Sequence, residues 1–250
     1  MTTLDQARDE LAIANRILAH EGVIDAFGHV SIRHPDDPSR FLISRHRAAE
    51  LVQPEDILEF TLDAVPVQPT TLRLYSESVI HGCIYQARPE INSVCHHHAD
   101  AVMPYCITGE PLVPVYHVGG AMGPTAPFWD SRDEFGDTNL LVTTLEEGHS
   151  LARALGPHWI VLMRRHGATV VGLSLRDLVF RTIFSTRNAE LHSRAKALGT
   201  VGPLSPGEAD KCLTSSQGTR QLERGWEYWT RRLQKAEALY AMALAAAPPA

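Results

Sequence analysis

The segment Ile91-Asn92-Ser93-Val94-Cys95-His96-His97-His98 constrains this chain more than any other. An apolar run ends there in three consecutive histidines. In a strand, successive side chains face opposite ways, so His96 and His98 share one face and His97 takes the other. Two imidazoles two residues apart on one face form a stiff pincer for a metal ion. Imidazole suits Zn, Mn, Fe, Co or Ni, so the pincer alone does not name the ion. A polar, histidine-rich turn is the competing account of the same residues. The triplet lies in mid-chain, where an expression tag would not sit.

Helical and strand patterns alternate around this segment. Asp5–His20 carries Leu11, Ala14 and Leu18 at helical spacing, and Gly22 is placed to stop the helix. Phe27–Arg33, Phe41–Ser44 and Ile57–Phe60 predict short strands, close enough in sequence to pair antiparallel. Ser76 is placed to cap a helix running through Glu77, Ile80 and Tyr85 and stopping before Pro89. The histidine segment follows at once. The helix advances ~1.5 Å per residue and the returning strand ~3.3 Å per residue, which brings Glu77 to the same end of the sheet as His98.

Leu112–His117 predicts a further strand, and residues 119–139, rich in Gly, Pro and Asp, predict a long surface loop. Thr144-Leu145-Glu146-Glu147 fits a capping box that opens a helix to Leu155. Trp159–Met163 and Ala168–Val171 are apolar strands flanking Arg164-Arg165-His166-Gly167. Ser174 caps a long helix to Leu198, with Leu178, Phe184 and Leu191 on its apolar side, and Pro206 opens another helix. A last amphipathic helix over 217–245 carries Trp226, Trp229, Leu233 and Leu239, and suits packing on the core or on a neighbouring subunit. No repeat or linker interrupts residues 1–250, which are expected to form one domain.

Composition excludes some classes of function. Charged residues are 21% and hydrophobic residues 44%, ordinary for a soluble globular chain. The formal net charge is −6 and no basic stripe appears, so nucleic acid is not an expected partner. No apolar run approaches membrane-spanning length, and the N-terminus lacks the basic start and apolar core of an export signal. Cys83, Cys95, Cys106 and Cys212 show no CxxC spacing and are expected as reduced thiols in a cytoplasmic protein.

Glu77, the His96/His98 pair and His166 converge in this arrangement. Three histidines and a nearby carboxylate suit a catalytic metal site with an open position. With YSESVIHGCIYQARPEINSVCHHH, RRHGATVVGLSL and, more loosely, FGHVSIR in view, the chain resembles the class II aldolase/adducin family over most of residues 5–200. The resemblance implies a three-layer α/β/α sandwich around a mostly antiparallel sheet, and a homotetramer or other homo-oligomer with sites near subunit contacts. It implies one divalent ion per subunit (Mn, Zn, Fe or Co), held by His96, His98 and His166, with Glu77 as acid/base.

Sugar-phosphate aldolases of the family carry Gly-Asn-x-Ser and a Gly-rich loop that cradle phosphate. Here the matching positions are Gly28-His29-Val30-Ser31 and Ile43-Ser44-Arg45-His46-Arg47, the second without glycine. A backbone phosphate cradle depends on glycine, whereas arginine forks suit carboxylates. Arg45, His46 and Arg47 therefore suggest recognition of a planar carboxylate, with solvated loop charges as the competing account, and Ser44 and Arg45 are expected to contact a small-molecule carboxylate substrate. His29 is either a substrate contact or a structural residue, and so is His117 of PVYH. FGHVS, YSE, ARPEINSV and PVYH together look most like the branch that decarboxylates hydroxylated aromatic or pyridine dicarboxylates. The resemblance therefore implies a lyase that breaks a carbon–carbon bond with metal stabilisation of the charge left behind. An aldolase on an unphosphorylated or 2-oxo acid substrate, an iron-dependent oxygenase and a non-catalytic adducin-like binding module are the alternatives.

Overall fold

The computed structural model describes residues 3–246. In chain order the elements are α1 (Leu4–His20), β1 (His29–Arg33), β2 (Arg40–Ser44), β3 (Ile57–Thr61), α2 (Ser78–Ala87), β4 (Ser93–His97) and α3 (Met103–Thr108). Then come β5 (Phe128–Trp129), α4 (Arg132–Phe135), α5 (Leu145–Leu155), β6 (Ile160–Met163), β7 (Gly167–Gly172), α6 (Leu175–Leu198), α7 (Pro206–Ser216) and α8 (Thr219–Ala246). The helix starts follow local chemistry. Thr3, Thr144 and Ser205 close capping boxes with Gln6, Glu147 and Glu208, and Ser174 caps α6.

The strands form one seven-stranded sheet in the order β3-β2-β1-β4-β7-β6-β5. Every pairing is antiparallel except β5 with β6. Side-chain alternation feeds two cores. Val30, Leu42, Cys95, Ile160 and Val170 face α1, α3, α6 and α8, while Phe41, Val94, Val161 and Val171 face α2 and α5. The result is the α/β/α sandwich around a mostly antiparallel sheet. Trp229 and Leu233 of α8 are buried with Phe180 of α6, while Leu239 stays exposed.

Four sequence expectations change. Leu112–His117 is not a strand. Its backbone is satisfied by a helix side chain, with Val115 N–H donating to Asn188 Oδ1 at 2.9 Å and Asn188 Nδ2 donating to the Val113 carbonyl at 2.8 Å. Residues 119–139 are not a bare surface loop. Val118–Met122 makes a 3-10 turn whose glycines, Gly119 and Gly120, are buried tightly against Asn188 and Cys212, and β5 and α4 follow. Ser76 does not cap α2. Glu77 occupies the cap position, and its side chain makes no capping bond. Leu191 lies on the exposed side of α6, at 42% exposure, so the apolar face of that helix runs through Leu178 and Ile183 instead.

Candidate metal centre and substrate cleft

The centre is assembled by the register of β1, β4 and β7. His29 pairs across from His96, and His96 across from Thr169. Alternation sends His96 to the α2 side of the sheet, together with Val94, while His97 turns to the other face and is fully buried. His98 follows the strand end. His166 sits in the β6–β7 turn, where Arg165 adopts a left-handed backbone (φ +52°) and donates its N–H to the Cys106 carbonyl at 2.7 Å. Gly28 makes the other close approach. Its φ is +108°, and a Cβ there would stand 2.8 Å from the His96 carbonyl oxygen.

Three imidazoles converge, as the spacing predicts. One ligating nitrogen from each of His96, His98 and His166 lies within 4.8 Å of the others, and the Nε2 atoms of His96 and His98 are 3.0 Å apart. The Glu77 carboxylate borders them, with Oε2 3.9 Å from His96 Nε2 and Oε1 3.5 Å from His166 Nε2. It accepts the Val142 N–H at 3.0 Å, which explains why it does not cap α2. Thr169 Oγ1 reaches Met163 Sδ as a donor, so it accepts from His96 Nδ1 at 3.2 Å. That bond places the His96 proton on Nδ1 and leaves the Nε2 lone pair facing the other two imidazoles.

Burial governs the charge states. It lowers His96 and His98 from their usual values and brings His166 down to about 4, with neighbouring histidines adding to the shift at His96 and His166. Burial also raises Glu77 to about 7, against the Val142 hydrogen bond and helped by repulsion from Glu147. Neutral imidazoles are the form that ligates metal. The donor set therefore fits a divalent ion: three neutral nitrogens, one oriented by a partner outside the cluster, and a carboxylate beside them.

The cluster opens into a cleft of about 530 Å³ lined by Gly28, His29, His46, Arg47, Tyr75, Glu77, His98, Leu140, Arg165 and His166, among others. His29 takes its place there, its ring 5.3 Å from that of His96. Arg45 does not line it. Its Nε donates to Asp56 at 2.6 Å, so a buried carboxylate of the chain itself holds the fork intended for substrate. The neighbouring Arg47 lines the cleft while also donating to Asp56 at 3.3 Å. Ser44 is buried behind the cleft, 3.2 Å from the hydroxyl of Tyr75, and supports that ring. His117 lies elsewhere, exposed in a groove with Phe184, Tyr228 and Trp229. Tyr75 and Arg165 are the cleft residues that the sequence reasoning missed. Their positions directly before Ser76-Glu77 and directly before His166 were the available signal.

The family described as Class II Aldolase and Adducin N-terminal domain matches residues 9–193. This chain belongs to that family. A decarboxylase of Talaromyces stipitatus, tropJ, is 33% identical over 87% of this chain and 90% of its own length. The 3,4-dihydroxyphthalate decarboxylase of Arthrobacter keyseri is 25% identical over 92% of this chain and 95% of its own. Among solved structures, the L-fuculose 1-phosphate aldolase of Glaciozyma antarctica superposes with a TM-score of 0.78, covering 94% of this chain and 91% of that one at 20% identity. The class II aldolase fold and a family of enzymes that includes decarboxylases follow from these likenesses. Among the described residues, no helix is long and apolar enough to cross a membrane.

Proposed function

We propose that this protein is a metal-dependent carbon–carbon lyase that decarboxylates a hydroxylated aromatic or pyridine dicarboxylate. The observation that carries this reading is the cleft itself: three converging imidazoles with the Glu77 carboxyl beside them, Arg47 and Arg165 in the lining, and no glycine in the Ile43–Arg47 segment to cradle phosphate. His96, His98 and His166 would hold the ion, and Glu77 would stand beside it. Bound there, a divalent ion supplies Lewis-acid stabilisation of negative charge developing on a substrate oxygen.

The chain's own groups do the rest. Arg165, and Arg47 through the part of its fork that Asp56 does not hold, attract and orient a dianionic substrate. Tyr75 and His46, whose rings lie 5.5 Å apart, form an aromatic wall against which a flat ring can lie. Glu77 donates a proton to the ring carbon that bears the carboxylate; that carboxylate then leaves as CO2, and its C–C bonding pair restores the aromatic ring and returns negative charge to the ring oxygen. Burial favours the protonated form of Glu77, raising its pKa to about 7 in the metal-free chain, while a bound cation acts in the opposite sense. Solvent then returns a proton to Glu77.

The same reading makes the chain one catalytic domain in a cytoplasmic homo-oligomer, as members of this family are commonly homo-oligomers acting on small molecules. The test is CO2 release from a panel of hydroxylated phthalates and pyridine dicarboxylates by metal-stripped protein supplied with Mn(II), Zn(II), Fe(II) or Co(II). Metal-dependent release from one ring supports the reading and names the substrate. Bound metal with no release from any ring, alongside cleavage of an unphosphorylated aldol, would replace decarboxylation with aldol chemistry.

A further inference from the structure

Behind His29, four buried side chains form one hydrogen-bonded row leading away from the cleft. His29 Nδ1 meets His81 Nε2 at 2.6 Å, His81 Nδ1 meets Ser31 Oγ at 2.6 Å, and Ser31 Oγ meets Tyr85 Oη at 2.8 Å. Two periodicities build it. His29 and Ser31 alternate onto one face of β1, and His81 and Tyr85 lie one turn apart on α2.

The protons in this row have one consistent direction. Ser31 is the only hydrogen-bond partner of the Tyr85 hydroxyl among the described residues, and the cation over the Tyr85 ring, Arg33, has donors but no acceptor. Leaving a buried phenol proton unpaired is costly, so Tyr85 donates to Ser31. The Ser31 proton then goes to His81 Nδ1. His81 is neutral, since complete burial lowers it to about 3, so its one proton sits on Nε2 and is donated to His29 Nδ1. His29 Nδ1 therefore accepts. The ring proton of His29 is on Nε2, the nitrogen with no side-chain partner, in a residue that lines the cleft.

We propose that the row Tyr85–Ser31–His81 holds His29 as the Nε2–H tautomer, a fixed hydrogen-bond donor to an oxygen of the bound substrate. His29 is then a catalytic residue, and His81, Ser31 and Tyr85 are positioning residues. The proposal rests on the cleft being the substrate site, as argued above. An N–H fixed in place before the reaction is of most use where negative charge grows, here on the ring oxygen as CO2 leaves. The same tautomer offers no lone pair at Nε2. His29 is thus excluded as a fourth metal ligand, although its ring faces that of His96.

Histidine-selective 15N labelling with long-range proton–nitrogen correlation reads each ring's tautomer directly, in metal-free protein and in protein loaded with diamagnetic Zn(II). His29→Asn and His81→Gln assign the two rings. The expected result is a neutral ring with its proton on Nε2 at both positions. A proton on Nδ1 of either ring overturns the proposal. Because this reading needs no substrate, it stands or falls separately from the decarboxylase assignment. Kinetics give the second arm. His81→Met offers His29 no N–H or O–H donor, and kcat falls at least about tenfold with a smaller change in KM. His81→Gln keeps an N–H at the position of Nε2 and recovers most of that loss. Equal losses in both variants, with metal content and circular dichroism intact, would reduce His81 to packing and overturn its positioning role.

Discussion

Burial acts on the four central side chains in opposite senses. It strips charge from His96, His98 and His166, which leaves lone pairs for a cation, and it holds a proton on Glu77 up to about pH 7. The roles should separate on mutation. Glu77→Gln is expected to retain metal, measured by elemental analysis, while kcat falls by roughly 10²-fold or more, the usual scale for a lost general acid. His98→Ala should lose both metal and turnover, and full metal retention would remove it from the ligand set. Arg47→Met should raise KM for a dicarboxylate by about tenfold or more, the scale of one charge-assisted contact, and change kcat less. An unchanged KM would mean that the Arg47 fork is spent on Asp56, as that of Arg45 is. The convergence of His96 and His98 was legible because strand alternation is local: the two share a face wherever the strand ends. The pairing of Arg45 with Asp56 was not legible, because Asp56 comes to it from a 3-10 turn eleven residues on, which no spacing rule reveals. His81 and Tyr85 gave no signal, since a helix facing the core shows only apolar spacing and their partners lie on another strand.

The elements deliver these residues by close backbone contact. β1 enters the sheet at Gly28, whose left-handed φ of +108° and contact with the His96 carbonyl leave no space for a side chain. Gly28→Ala is expected to cost about 1–3 kcal/mol, through backbone strain and separation of β1 from β4. Denaturant unfolding reads this directly, and a midpoint equal to wild type would show that the β1–β4 approach is not as tight as described. Glu77 stands at the N-cap of α2, and its carboxylate accepts the Val142 N–H instead of capping the helix. The longer helices and the strands near the centre were legible within a few residues because capping boxes and alternating apolar runs are local signals, whereas the short α3 and α4 gave none. Leu112–His117 alternates like a strand but has no strand beside it. The Asn188 amide satisfies its backbone instead, a tertiary choice that overrides the pattern. His117 consequently falls outside the cleft.

The described residues form a single sheet with a core on each face, and the candidate metal centre lies on the α2 side. Placing so many histidines in the interior has a stability consequence. His81 and His97 are lowered to about 3 by burial, against ~6.5 in an unfolded chain, and His29 and His96 shift in the same direction. Below pH ~6.5 the unfolded chain binds protons that the folded one does not. Stability is thus fully present above that pH and is lost as pH falls toward 3, at about 1.4 kcal/mol per unit for each such histidine. Glu77, raised to about 7, works the other way and favours the folded chain as pH falls from 7 to its unfolded value, but it is one group against several. The unfolding midpoint of metal-stripped protein should therefore drop between pH 7 and pH 5. A flat or rising midpoint would show that these histidines are not buried neutral.

The most direct test of the central claim is to titrate metal into stripped protein in the presence of a hydroxylated aromatic dicarboxylate and follow CO2. The expected result is release that is absent without metal, rises in proportion to added ion and saturates at one equivalent per chain. Release that persists in the stripped protein, or a fully loaded protein that frees no CO2 from any such ring, would contradict metal-dependent decarboxylation at His96, His98 and His166.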